Sequence, residues 1–129
     1  MSIKKVLITG VVFIFLAILL GAFGAQTLKS KLEPSALASF EVGVRFQMFQ
    51  GIGLLCLAII QKVFEIEFKR TLMLQVIGTI LFSFSIYLLS LKDLIGIKLA
   101  FLGPVTPLGG SIMLIAWLLA IKAIWKWKA

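Results

Sequence analysis

Four stretches of this chain carry no Lys, Arg, Asp or Glu: residues 6–28, 46–61, 71–91 and 99–121. Three of them reach or exceed the roughly 20 apolar residues that an α-helix needs to cross a hydrocarbon core. Lipid offers no partner to a backbone N–H or C=O, so a spanning segment must satisfy its own groups and forms a helix. The runs are continuously apolar rather than alternating, which excludes a β-barrel. The fold class is therefore all-α: an integral membrane antiparallel four-helix bundle. Residues 1–129 read as a single transmembrane domain with spans near 6–28, 44–61, 71–91 and 107–125. Four spans use up most of 129 residues, so no separate soluble domain fits within them.

The net charge is +8. In a soluble protein this would suggest nucleic acid. Here the cations flank the apolar runs, so topology accounts for them and no nucleic-acid partner is expected. Basic patches beside spans also favour anionic lipid heads. With four spans both termini share a side. That side collects Lys4, Lys5, Lys62, Lys69, Arg70, Lys122, Lys126 and Lys128, eight cations, against the five of Lys29, Lys31, Arg45, Lys92 and Lys98 opposite. The excess places both termini in the cytoplasm, in a bacterial inner membrane. Trp125 to Lys128 forms an aromatic and basic anchor where the last helix leaves the bilayer. The first charge-free run, residues 6–28, exceeds the roughly 7–15 residues of a signal-peptide core and reads as a retained helix. The lone Cys56 excludes an intrachain disulfide and reads as a small packing residue.

The second span is short. Only residues 46–61 separate Arg45 from Lys62, about 24 Å of helix against a core of about 30 Å. Pro34 suits a first helical position, so the spacing predicts one helix over about 34–61 whose first turns are amphipathic. Arg45 then sits at the hydrocarbon boundary, with Glu41 one turn earlier and able to pair with it. Gln47 and Gln50 follow on the other side of the same helix, where amides can hydrogen-bond across a bundle. Gln26 closes the first span, and Thr106 stands before the fourth as an N-cap with Pro107 next. Gln26, Glu41, Arg45, Gln47, Gln50 and Thr106 together make the candidate polar or ligand cluster.

Small residues mark the packing faces. Ala17, Gly21 and Ala25 recur every four residues beside Gly24, the spacing that lets helices approach closely. Gly109 and Gly110 open the fourth span; they provide either close packing or exposed N–H groups for an anion.

The chain has no His, one Cys and five acidic residues. No metal site of the usual kind, no Ser-His-Asp or Cys-His group and no cofactor is expected, so no catalytic residue is assigned and an enzyme is disfavoured. The leading expectation is a non-catalytic accessory protein that binds membrane lipid, a membrane-protein partner or a second copy of itself. The alternative is an oligomeric transporter or channel using the polar cluster. A membrane enzyme acting on a lipid or quinone comes third.

The run GAFGAQTLKSKL, then FEVGVRFQMFQGIGLL, then TPLGG resembles the YwdK/YgdD-type family of small membrane proteins, a domain of unknown function with a mitochondrial transmembrane relative in animals. The resemblance covers essentially the whole chain and implies a four-helix inner-membrane protein with no established activity. It rests on Gly21, Phe23, Gly24 and Ala25, on Glu41, Gly43, Arg45, Phe46, Gln47 and Met48, and on Pro107, Gly109 and Gly110. The family often has His where this chain has Gln26 and Gln50. Glutamine keeps the hydrogen bond but does not titrate.

Overall fold

A computed structural model describes residues 2–129, and the described residues are helical without a strand. Helix α1 spans Ile3–Gln26; the Ser2 hydroxyl caps it by accepting from the Lys5 amide at 3.3 Å. A short 3₁₀ turn, Leu28–Ser30, leads to α2, Pro34–Phe64, with proline in its first turn as its fixed φ favours. Helix α3 covers Lys69–Ile95, and α4 covers Val105–Lys126 after a 3₁₀ turn at Ala100–Leu102. All four are long and apolar enough to cross a membrane. The undersized charge-free run of the second span is thus completed within one 31-residue helix.

The helices are antiparallel neighbours in chain order. Gly10 meets Gly51 and Gly24 meets Phe40 across α1 and α2; Gly43 meets Tyr87 and Gly53 meets Gln75 across α2 and α3; Gly78 meets Met113 across α3 and α4. Two glycine crossings let backbones touch. A Cβ on Gly51 would stand 2.9 Å from the Gly10 carbonyl oxygen, and one on Gly78 would stand 2.9 Å from that of Gly109. Small residues at such points permit the close contact that holds helices together in lipid, where hydrophobic association is absent.

Two apolar clusters occupy opposite ends. At the end carrying the chain termini, Val6, Leu57, Phe68, Leu72 and Ala120 belong to one apolar cluster. At the end carrying the α1–α2 and α3–α4 connections, Leu28, Phe40 and Tyr87 form the second cluster. The outward faces are apolar: Phe15, Ile18, Ile59, Leu114, Leu118 and Ile121 are all exposed. That inside-out pattern suits a lipid solvent. Cys56 lies on this outward face, exposed, rather than packing inside.

Helix α2 ends with Glu65 in the left-handed region, φ 55°, where a side chain costs roughly 1 kcal/mol or more. Its exposed carboxylate makes no compensating cap. Glu65→Gly is expected to stabilise the protein by about 0.5–1 kcal/mol, read as a higher melting temperature in detergent. A fall in melting temperature would show that the turn depends on the carboxylate.

Candidate functional site

The middle of the bundle is polar. Gln47, 1% exposed, donates from Nε2 to the Phe13 carbonyl at 2.9 Å and accepts from the Tyr87 hydroxyl at 2.7 Å. Gln50 accepts from Trp117 Nε1 at 3.0 Å, while its backbone carbonyl accepts from Gln75 Nε2 at 3.1 Å. Ser83 donates to the Gly43 carbonyl at 2.9 Å, and Thr79 to the Gln75 carbonyl at 2.7 Å. All four helices enter this layer. A carbonyl oxygen has two lone pairs, so a helical carbonyl can accept a side-chain bond beside its helical one.

The residues that α3 supplies lie four apart: Thr71, Gln75, Thr79, Ser83 and Tyr87 are all buried. On a regular α-helix a four-residue step drifts by about 40°, so the row would wind off the interior face. A π-helical turn at Ile80–Phe84 absorbs part of the drift and returns Ser83 and Tyr87 to the interior. The Ser85 hydroxyl lies 2.9 Å from the Phe82 carbonyl and 2.6 Å from the Thr106 hydroxyl, tying this turn to the start of α4.

The six polar candidates therefore do not form one cluster. Gln47 and Gln50 are buried in the middle layer; Glu41 and Arg45 are exposed on the opposite side of α2. Gln26 is exposed at the last residue of α1, away from the glutamines. Thr106 is no N-cap. The helix begins one residue earlier, at Val105, and the Thr106 hydroxyl pairs with Ser85 instead. Among the small residues, Ala17, Gly24 and Gly109 are buried, Gly21 touches Val44, and Gly110 touches the Phe82 ring. Ala25 is exposed. Its position one residue past Gly24 turns it to the outside.

Above the middle layer, at the connection end, lies an open cleft of about 990 Å³. One wall is the α1–α2 connection and the start of α2, with Lys31, Glu33, Ser35 and Ser39. The other is the end of α3, with Ser90, Lys92 and Asp93; Thr106 and Pro107 of α4 complete it. Ser90 is only 7% exposed, and its Oγ finds no hydrogen-bond partner among the described residues. Of the expected polar residues only Thr106 reaches this cleft. Serines 35, 39 and 90 carried no signal in the sequence beyond being polar near span ends. Among the described residues no group of three His, Cys, Asp or Glu is placed to hold a metal ion.

Residues 20–110 match the family model described as "Protein of unknown function (DUF423)". That interval holds the middle layer's three glutamines and every residue of the cleft. The chain is 34% identical to the UPF0382 membrane protein YwdK of Bacillus subtilis over 126 residues, 96% of this chain and 98% of that one. It is 32% identical to the UPF0382 membrane protein SSP2132 of Staphylococcus saprophyticus over 123 residues, 95% and 98% of the two chains. A UPF0382 membrane protein of Haemophilus influenzae is 34% identical over 116 residues, 89% of each chain. No solved structure matches the chain.

Proposed function

The chain belongs to the membrane-protein family of unknown function DUF423, and within it we propose a non-catalytic binding role: the protein holds the polar end of a membrane amphiphile in the cleft at the connection end. The observation that carries this reading is the Ser90 hydroxyl, buried and unpartnered in the wall of that cleft. A buried hydroxyl without a hydrogen bond costs about 1–3 kcal/mol, which a polar group of a ligand would offset. Lys31 and Lys92 stand with Glu33 and Asp93 around the same cleft. That balance of charge suits a zwitterionic or hydroxyl-bearing headgroup better than a bare ion. The reading places both termini in the cytoplasm of a bacterial inner membrane, by the excess of cations at their end. The cleft then opens toward the opposite leaflet.

Transport through a single copy has less support, because Gln47, Gln50, Gln75, Tyr87 and Trp117 fill the middle of the bundle with side chains hydrogen-bonded in pairs or to backbone carbonyls. A protein partner or second copy would dock on the apolar outer faces, and those carry nothing that sets them apart from lipid-facing surface.

Ser90→Ala separates binding from folding. It removes the unpartnered hydroxyl, so the delipidated protein is expected to melt higher, by the equivalent of about 1 kcal/mol. Lipid retained after mild solubilisation, counted by native mass spectrometry, is expected to fall about fivefold. Unchanged lipid retention in Ser90→Ala would end the proposal.

A further inference from the structure

The terminal end of the bundle holds a second cleft that the proposed role does not use. It lies between the start of α3 and the last turns of α4 and measures about 660 Å³. Lys69 and Arg70 line it from α3 and Lys122 and Lys126 from α4, with Glu67 as its one acid. Positive-inside charges need only lie near span ends; these come from two helices far apart in sequence and face one space.

Lys69 and Arg70 are unfavourably placed without a counter-charge. Helix starts favour acids, since the macrodipole is positive there. The first turn of α3 contains no acid and begins with two cations. Lys122 and Lys126, at the dipole-negative end of α4 that favours cations, stand at i and i+4, where like charges repel each other. The start of α3 also lacks a side-chain cap. Its first intrahelical bond runs from the Leu72 amide to the Phe68 carbonyl, and the Phe68 amide is taken by Gln61 Oε1 at 2.8 Å. The N–H groups of Lys69, Arg70 and Thr71 come before that first bond. Below the charged rim the wall is apolar, made by Met73, Leu119 and Ala123. Phe64 and Trp127, at the ends of α2 and α4, pack edge to face with rings 5.4 Å apart.

We propose that this cleft is a binding site for an anionic phospholipid. The phosphate sits among Arg70, Lys122 and Lys126, and an acyl chain follows Met73 and Leu119. A cationic rim over an apolar wall matches a lipid from head to tail, whereas free phosphate would leave the wall unused. Basic pockets between spans on the cytoplasmic side are suited to such headgroups.

The test uses the full-length protein in nanodiscs of phosphatidylcholine with a minor fraction of phosphatidylglycerol, followed by native mass spectrometry of retained lipid. The unaltered protein is expected to enrich phosphatidylglycerol about tenfold. K122Q/K126Q is expected to bring that enrichment close to parity, and R70Q, on the other wall, to lower it independently. K4Q/K5Q removes the same charge from the same end and is expected to leave the enrichment intact. Equal losses in K4Q/K5Q and K122Q/K126Q would reduce the effect to the general field of that end and overturn the site. So would undiminished enrichment in K122Q/K126Q. Displacement of phosphatidylglycerol by millimolar inorganic phosphate would overturn the assignment to a lipid.

Discussion

Gly109→Ala is expected to break the α3–α4 pair, while Gly110→Ala, one residue on, is expected to be tolerated. A Cβ on Gly109 would collide with the Phe82 backbone nitrogen and would stand 2.9 Å from both the Gly78 carbonyl oxygen and the Leu81 carbonyl carbon. All three are backbone atoms, so no rotamer change relieves the overlap; the helices must separate or the π-turn must deform. A Cβ on Gly110 meets only the Phe82 ring, at 3.5 Å, which is ordinary contact. Overpacking costs about 1–3 kcal/mol where side chains can adjust. Here they cannot, so about 3 kcal/mol or more is expected for Gly109→Ala and less than about 0.5 kcal/mol for Gly110→Ala. The Gly10–Gly51 crossing is more forgiving from the α1 side. There the new Cβ meets Leu55 side-chain atoms as well as the Gly51 carbonyl oxygen at 3.0 Å, and a leucine can rotate. Unfolding in graded denaturing detergent checks the pair. Equal midpoints for Gly109→Ala and Gly110→Ala would remove the crossing from the account of what holds the bundle together.

The same crossing shows what a sequence of this kind discloses. Span number and the long α2 were legible because lipid leaves the backbone one solution, and the gap from Arg45 to Lys62 is too short for it. The packing face of α1 was legible only in part. Small residues four apart point to Ala17, Gly21 and Ala25, yet the buried residues of α1 include Gly10, Ala17 and Gly24, seven apart. Long antiparallel helices wrap around each other, and a seven-residue repeat then stays on the contact face while a four-residue one leaves it.

The polar interior was less legible for a different reason. Charges in the apolar runs would have announced themselves; the neutral row Thr71, Gln75, Thr79, Ser83 and Tyr87 did not interrupt a charge-free stretch. Its four-residue spacing is visible in the sequence. The π-turn at Ile80–Phe84 that keeps it facing inward is not; it lies against Gly109 of another helix, and the adjoining Ser85 pairs with Thr106 there. The angular separation of Glu41 and Arg45 from Gln47 and Gln50 was legible, since they leave α2 on different faces; the glutamines are buried and the outer pair is exposed. The cleft around Ser90 depends on three separate segments meeting, which no local pattern records.

Gln47→Leu tests whether the middle layer stabilises the bundle through its hydrogen bonds or only through its volume. Leucine fills similar space, so packing is nearly kept. What is lost is the bond to the Phe13 carbonyl and the acceptor of the Tyr87 hydroxyl, itself in a residue 6% exposed. Stranding that hydroxyl is expected to cost about 2 kcal/mol, near the upper end for hydrogen bonds between membrane helices. Gln75→Leu is expected to cost less, below about 1 kcal/mol. Among the described residues Gln75 makes one side-chain bond, to the Gln50 carbonyl, and its Oε1 is already buried without a partner, so removing the amide also removes that penalty. Tyr87→Phe supplies the decisive background. With no hydroxyl to strand, Gln47→Leu is expected to cost about 1 kcal/mol less there than in the unaltered protein, measured as midpoints in denaturing detergent. Equal costs in the two backgrounds would mean that the Gln47–Tyr87 bond contributes nothing, and that the glutamine is held in the bundle by its bond to Phe13 alone.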